Sequence, residues 1–210
     1  MSDFRYYRPD AFPPVVKNLL IINVLVFIAQ ISIGNQFSLT ERIALYPIDS
    51  PFFQPYKIIT HMFAHSPTQI FHIVLNMFGL WMFGRVLENV WGGKRFLIFY
   101  LVSGLGAAAA HLLVQHLTGN YGSAVGASGA IMGLFAAFGY LFPNTELYLM
   151  FIPVPIKAKW AVIGFVALDL LLGISSVQGD NVARFAHIGG AITGFIIVLI
   201  WNKTGKKRFY

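Results

Sequence analysis

The chain contains no cysteine, which excludes disulfides, thiol nucleophiles and thiolate metal sites and leaves the redox compartment open. Charge is scarce as well. Only 11% of the residues are charged and 57% are hydrophobic, whereas soluble domains carry roughly 25% charged residues. With a mean hydropathy of +0.67, this composition excludes an ordinary soluble domain and points to a polytopic membrane protein. There is no His-Glu-x-x-His motif, and no carboxylate ligand lies near His61, His65 and His72; no metal is expected. Internal repeats and low-complexity tracts are absent too.

What is present is a series of apolar stretches, several of them near the roughly 17 to 25 residues needed to cross the hydrocarbon core. Six spans can be drawn, at about 15–33, 69–89, 94–117, 127–142, 157–174 and 184–202. The first lacks a small-residue cleavage site and is read as a retained helix, not a signal peptide. The fourth stops at Pro143 and is too short to cross if straight, so its upper end is expected below the surface, shielded by protein. This gives an all-α membrane protein: a cytoplasmic tail at 1–13, a six-helix domain at 14–203 and a basic tail at 204–210.

The net charge of +7 does not form one patch, so no nucleic-acid partner is expected; topology explains it better. With the N-terminus inside, twelve of the fifteen Lys and Arg residues fall on the inner side, leaving Arg42, Lys57 and Arg184 outside. Both termini are then cytoplasmic, and a multi-pass protein of a bacterial cell membrane is expected, with the lipid bilayer as partner. The long first loop, from Gly34 to about Gln69, holds Tyr46, Pro47, Phe52, Phe53 and Tyr56. Its apolar content suggests a segment packed on, or dipping into, the outer membrane face.

This topology puts His72, Ser128 and His187 at one depth, each within about a turn of the outer start of its span. Serine is also a common packing residue of membrane helices, and histidine a common buried hydrogen-bonder. The shared depth, together with two stripes of small residues, favours chemistry. Gly129, Gly133 and Ala137 recur at four-residue spacing on one span, and Ala186, Gly190 and Gly194 on another, which permits close backbone approach. If the stripes face each other, Ser128 and His187 come within reach as nucleophile and general base. His72 and Asn76, four apart on one helical face, are candidate oxyanion donors beside the N–H groups of a helix start. Asp169, the only acid well inside a span, has His187, Arg184 or backbone as possible partners, and a structural role is expected. Glu88 is expected to tie Arg85 or a helix end, His61 and His65 to brace the loop, and His111 and His116 to sit at the interface.

These residues resemble the rhomboid intramembrane serine proteases over about residues 14–203. Gly126-Ala127-Ser128-Gly129 is similar to the family's nucleophile motif, Ala186-His187-Ile188-Gly189-Gly190 to its last helix, and His72 with Asn76 to its second-helix pair. The resemblance implies a Ser128–His187 dyad without an obligatory acid, and an oxyanion hole from His72, Asn76 and the backbone at Ala127 and Ser128. It also implies a water-filled cavity open outward, lateral access near the fifth helix, single-pass transmembrane substrates and no cofactor. Two positions depart from the family pattern. Met132 replaces an aromatic that packs on the base, so a looser His187 is expected, and Tyr56-Lys57 replaces a Trp-Arg pair in the first loop. Rival readings are a non-proteolytic rhomboid-like protein that binds or escorts membrane clients, and a small transporter.

Overall fold

The computed structural model describes residues 9–119, 122–148, 154–175 and 181–204. The basic residues Arg5, Arg8, Lys206, Lys207 and Arg208 of the two expected tails lie outside the described residues. Among the described residues there are six helices of fourteen residues or more: α1 (Pro14–Ser32), α5 (Ile70–Trp91), α6 (Gly93–Thr118), α7 (Ser128–Leu141), α8 (Ala158–Ser175) and α9 (Asn181–Thr204). Each lies within a few residues of an expected span. Short helices α2 (Gly34–Phe37), α3 (Leu39–Ile43) and α4 (Lys57–Thr60) and a 3-10 turn at His61–Phe63 build the first loop. One departure from an all-helical chain is a two-residue antiparallel ladder, β1 (Glu146–Leu147) with β2 (Ile156–Lys157), between α7 and α8.

The chain is a multi-pass membrane protein. Among the described residues, four helices are long and apolar enough to cross a membrane on length and composition. Their outward faces carry Ile21, Leu25, Phe71, Leu117 and Ile192 in exposed positions, as a lipid-facing surface requires. Helix α7 is different. At 14 residues it is about 21 Å long, and all of its residues but Ser128, Met132 and Tyr140 are buried. A helix apolar all round belongs at the centre of a bundle, and α5, α6, α8 and α9 surround it.

Local chemistry explains the helix ends. Pro14 starts α1 where its missing N–H costs nothing, and the Glu88 carboxylate on α5 accepts the next two N–H groups, from Val15 at 2.9 Å and Val16 at 2.7 Å. Glu88 therefore ties a helix end, that of α1, at the positive pole of its dipole. Gly92 turns α5 into α6 with a φ of 79°, a value that only glycine takes readily. Below the site, Trp91, Phe99 and Trp201 form an aromatic plug, with Trp91 4.8 Å from Phe99 and 5.5 Å from Trp201 between ring centroids.

Candidate active site

The small-residue stripes do face each other. A Cβ built on Gly190 would strike the Gly129 carbonyl, and one on Gly194 would lie 2.6 Å from Gly133 Cα. On its other flank α7 meets α6, where a Cβ on Gly133 would come within 2.5 Å of Ser103. Such backbone-to-backbone approach carries the starts of α7 and α9 together. His187 Nε2 lies 2.9 Å from Ser128 Oγ, across 59 residues of chain.

The other ring nitrogen settles which atom holds the proton. His187 Nδ1 is 3.0 Å from Asp169 Oδ2, and an ionised carboxylate only accepts. Nδ1 therefore carries the hydrogen, Nε2 accepts, and the Ser128 hydroxyl donates to it. Asp169 is 5% exposed, and its second oxygen accepts from Arg184 Nη1 at 3.2 Å. Helix α9 begins a turn earlier than expected, at Asn181, which places Arg184 within the helix and on that carboxylate. Of the partners considered for Asp169, it takes both His187 and Arg184. The expected loosening of His187 beside Met132 meets a restraint that the sequence left unassigned; Met132 itself is partly buried against the main core.

Ser128 opens α7 without a side-chain cap, and the first hydrogen bond across this end is Ile131 N–H to Ala127 carbonyl at 3.0 Å. The N–H groups of Ser128, Gly129 and Ala130 thus have no partner inside the helix. Gly126 supplies the preceding turn with a φ of 125°, and a Cβ there would lie 2.9 Å from His72 Nε2 and 3.7 Å from Ser128 Oγ. Glycine is required at 126 on both counts. His72 Nδ1 accepts the Ser66 N–H at 3.3 Å, so its Nε2 bears the hydrogen and turns a donor toward the serine. Asn76 stands apart: its Nδ2 donates to the His72 carbonyl at 2.7 Å, and it does not line the cavity. As placed, it stiffens the turn that carries His72.

A cavity of about 430 Å³ has a wall that includes Ser128, His187, His72, His61, His111 and Gln69. His111 is thus buried at the cavity and not a snorkelling interface residue; His116 is exposed, 3.3 Å from Asp49. The first loop forms one wall. Leu45 and Ala124 exchange backbone hydrogen bonds at 2.9 and 2.8 Å, and the His61 carbonyl accepts the Gly126 N–H at 2.9 Å, so the loop is laced to the segment that delivers Ser128. Lys57 anchors it from within: its Nζ donates to the carbonyls of Glu41 at 2.8 Å and Phe52 at 3.0 Å and sits over the Tyr46 ring. Burial lowers the Lys57 pKa, against the opposing pull of Glu41. His61 and His65 brace the loop as neutral rings, each pushed by burial to about 4.

Gln30 is a loop brace that no motif marks. Its amide accepts the His65 N–H at 2.9 Å and donates to the His65 carbonyl at 2.8 Å, holding the His65 ring 5.3 Å from that of His72. A glutamine in the last turn of an apolar span is itself a signal, although one that does not name its partner.

Residues 53–203 match the sequence profile of the Rhomboid domain. The chain belongs to the rhomboid family. Human presenilin-associated rhomboid-like protein, mitochondrial, is 30% identical over 196 residues, covering 89% of this chain and 49% of that protein. RHOMBOID-like protein 6, mitochondrial, of Arabidopsis thaliana is 32% identical over 160 residues, 74% of this chain and 48% of the relative. Rhomboid protein 1, mitochondrial, of Saccharomyces cerevisiae is 30% identical over 154 residues, 72% and 43% respectively. This rhomboid spans about half the length of the relatives it matches. All three are mitochondrial by name, which lends no support to the expected bacterial cell membrane; a multi-pass membrane protein is what stands. Within this rhomboid, both residues of the first-loop pair Tyr56-Lys57 have partners of their own: Lys57 is buried on two carbonyls, and Tyr56 Oη donates to the Arg42 carbonyl at 3.2 Å.

Proposed function

We propose that this rhomboid is an intramembrane serine endopeptidase that cuts single-pass transmembrane proteins near the membrane face onto which the cavity opens. The observation that carries the reading is the 2.9 Å contact of Ser128 Oγ with His187 Nε2 beside an uncapped helix start. Ser128 Oγ attacks the scissile carbonyl carbon as its proton passes to His187 Nε2. The oxyanion is received by His72 Nε2–H and the Ser128 backbone N–H, with Asn76 acting through the His72 turn. His187 then protonates the leaving amine, and water, activated by the same nitrogen, hydrolyses the acyl-enzyme. Neither metal nor cofactor takes part. Gly104, Ala107, Gly126 and Ala186 line the wall near the serine, which supports a small side chain before the cut. A helical substrate hides its carbonyls, so it must unwind at that point. The fold is read as six crossings, with both termini on the inner side.

A fluorophosphonate probe, which reacts only with an activated serine, tests this. The purified protein should be labelled, and Ser128→Ala and His187→Ala should each abolish labelling. Labelling of Ser128→Ala equal to that of wild type would sink the proposal, and a wild-type protein that binds helical clients without being labelled would favour the escort reading.

A further inference from the structure

Resting on that reading, the geometry points to Asp169 as a positioning residue for the base, held in turn by Arg184, so that the site works as a Ser-His-Asp relay assembled from three helices. Four groups stand in line. Arg184 Nη1 is 3.2 Å from Asp169 Oδ1, Asp169 Oδ2 is 3.0 Å from His187 Nδ1, and His187 Nε2 is 2.9 Å from Ser128 Oγ. An interhelical tie between α8 and α9 needs only the first of these contacts. The second oxygen goes to the ring nitrogen opposite the serine, where it does two things. It selects the tautomer whose Nε2 accepts the serine proton, and it lies beside the positive charge that the imidazole gains when that proton arrives. Both effects are strong in a site of low dielectric. The carboxylate itself is buried, and its other oxygen is paired with the Arg184 guanidinium. With Met132 where an aromatic would stack, the Asp169 contact is what orients the ring.

The asparagine variant separates positioning from packing because Arg184 decides which way its amide faces. In Asp169→Asn the guanidinium claims the amide oxygen, so the NH2 group faces His187 Nδ1. Nδ1 must then accept, and the ring proton moves to Nε2, the tautomer that cannot take a proton from Ser128. For the full chain in detergent micelles, we expect kcat for a transmembrane substrate to fall by ~10² to 10⁴, as a wrong tautomer does in a serine triad, with KM within about twofold. We also expect 15N-histidine NMR to show His187 protonated on Nδ1 in wild type and on Nε2 in the variant. An unchanged kcat, or an unchanged tautomer, overturns the inference; so does a lower thermal midpoint with the kcat of the folded fraction intact, which is what a packing role alone would give. The tautomer measurement needs no catalysis. Failure of the peptidase reading would appear as absent probe labelling of wild type, whereas failure of this inference would appear as a labelled wild type with an indifferent Asp169→Asn.

Discussion

Gly194→Ala isolates geometry from chemistry, because position 194 lies seven residues from His187, about 10 Å along the helix, and touches no reacting group. A methyl there would sit 2.6 Å from Gly133 Cα and 2.7 Å from its carbonyl oxygen. Both are backbone atoms, so neither can rotate away. Ordinary contact begins near 3.4 Å, and α9 must therefore move off α7 by about 0.8 Å. Carried up α9 as a rigid shift, that displacement stretches the Ser128–His187 contact from 2.9 Å to roughly 3.7 Å, beyond a hydrogen bond. A misplacement near 1 Å can cost on the order of 10² in rate, and overpacking typically costs about 1–3 kcal/mol in stability. Turnover of a transmembrane peptide, rate of fluorophosphonate labelling and thermal midpoint should be measured together. We expect labelling to slow by ~10-fold or more while the protein remains folded. Gly164→Ala, where an added Cβ meets nothing within 4 Å, should match wild type in all three. A Gly194→Ala protein as active and as stable as wild type would refute the view that the two glycine stripes set the distance between serine and base.

His72→Ala should lower turnover of the proposed peptidase by ~10² to 10³, the usual cost of one oxyanion donor. Asn76→Ala should lower it less; equal losses measured on the same peptide would put Asn76 in the oxyanion hole itself. His61 and His65 have folded pKa values near 4, below the ordinary 6.5, so the folded state binds fewer protons than the unfolded chain. Stability should be full above about 6.5 and decline as pH falls toward 4, by up to on the order of 3 kcal/mol for each ring. A thermal midpoint that is flat from pH 7 to pH 4 would contradict this. Gln30→Leu strands both backbone groups of His65, and by the usual cost of an unsatisfied buried group should lose about 1–3 kcal/mol, read as a lower thermal midpoint and as earlier proteolysis of the first loop. Unchanged proteolysis would show that the loop is held elsewhere.

Much of this molecule is legible in the sequence, because its strongest signals are local. Spans follow from runs of apolar residues, and α7 stops where Pro143 requires it. The common depth of His72, Ser128 and His187 follows from counting residues along helices of fixed rise, and the stripes of Gly129, Gly133, Gly190 and Gly194 follow from helical periodicity. Less legible are the side chains that can reach in several directions. Asp169 has three possible partners in the sequence, Asn76 reads as an oxyanion donor, His111 as an interface residue, and Lys57 as a replacement for an arginine.

By itself, then, the sequence determined that this is a multi-pass helical membrane protein with Ser128 and His187 at one depth, because composition and period are properties of single segments; the motifs around those residues carried the resemblance to the rhomboid family. Only the tertiary structure decided that Asp169 bonds the ring nitrogen opposite the serine, that His72 turns a donor toward it while Asn76 turns back to its own helix, and that Gln30 and Lys57 hold the first loop. Those outcomes depend on how helices far apart in the chain rotate and approach. A shift of a few tenths of an ångström or one rotamer decides between partners there, and no local pattern records that choice.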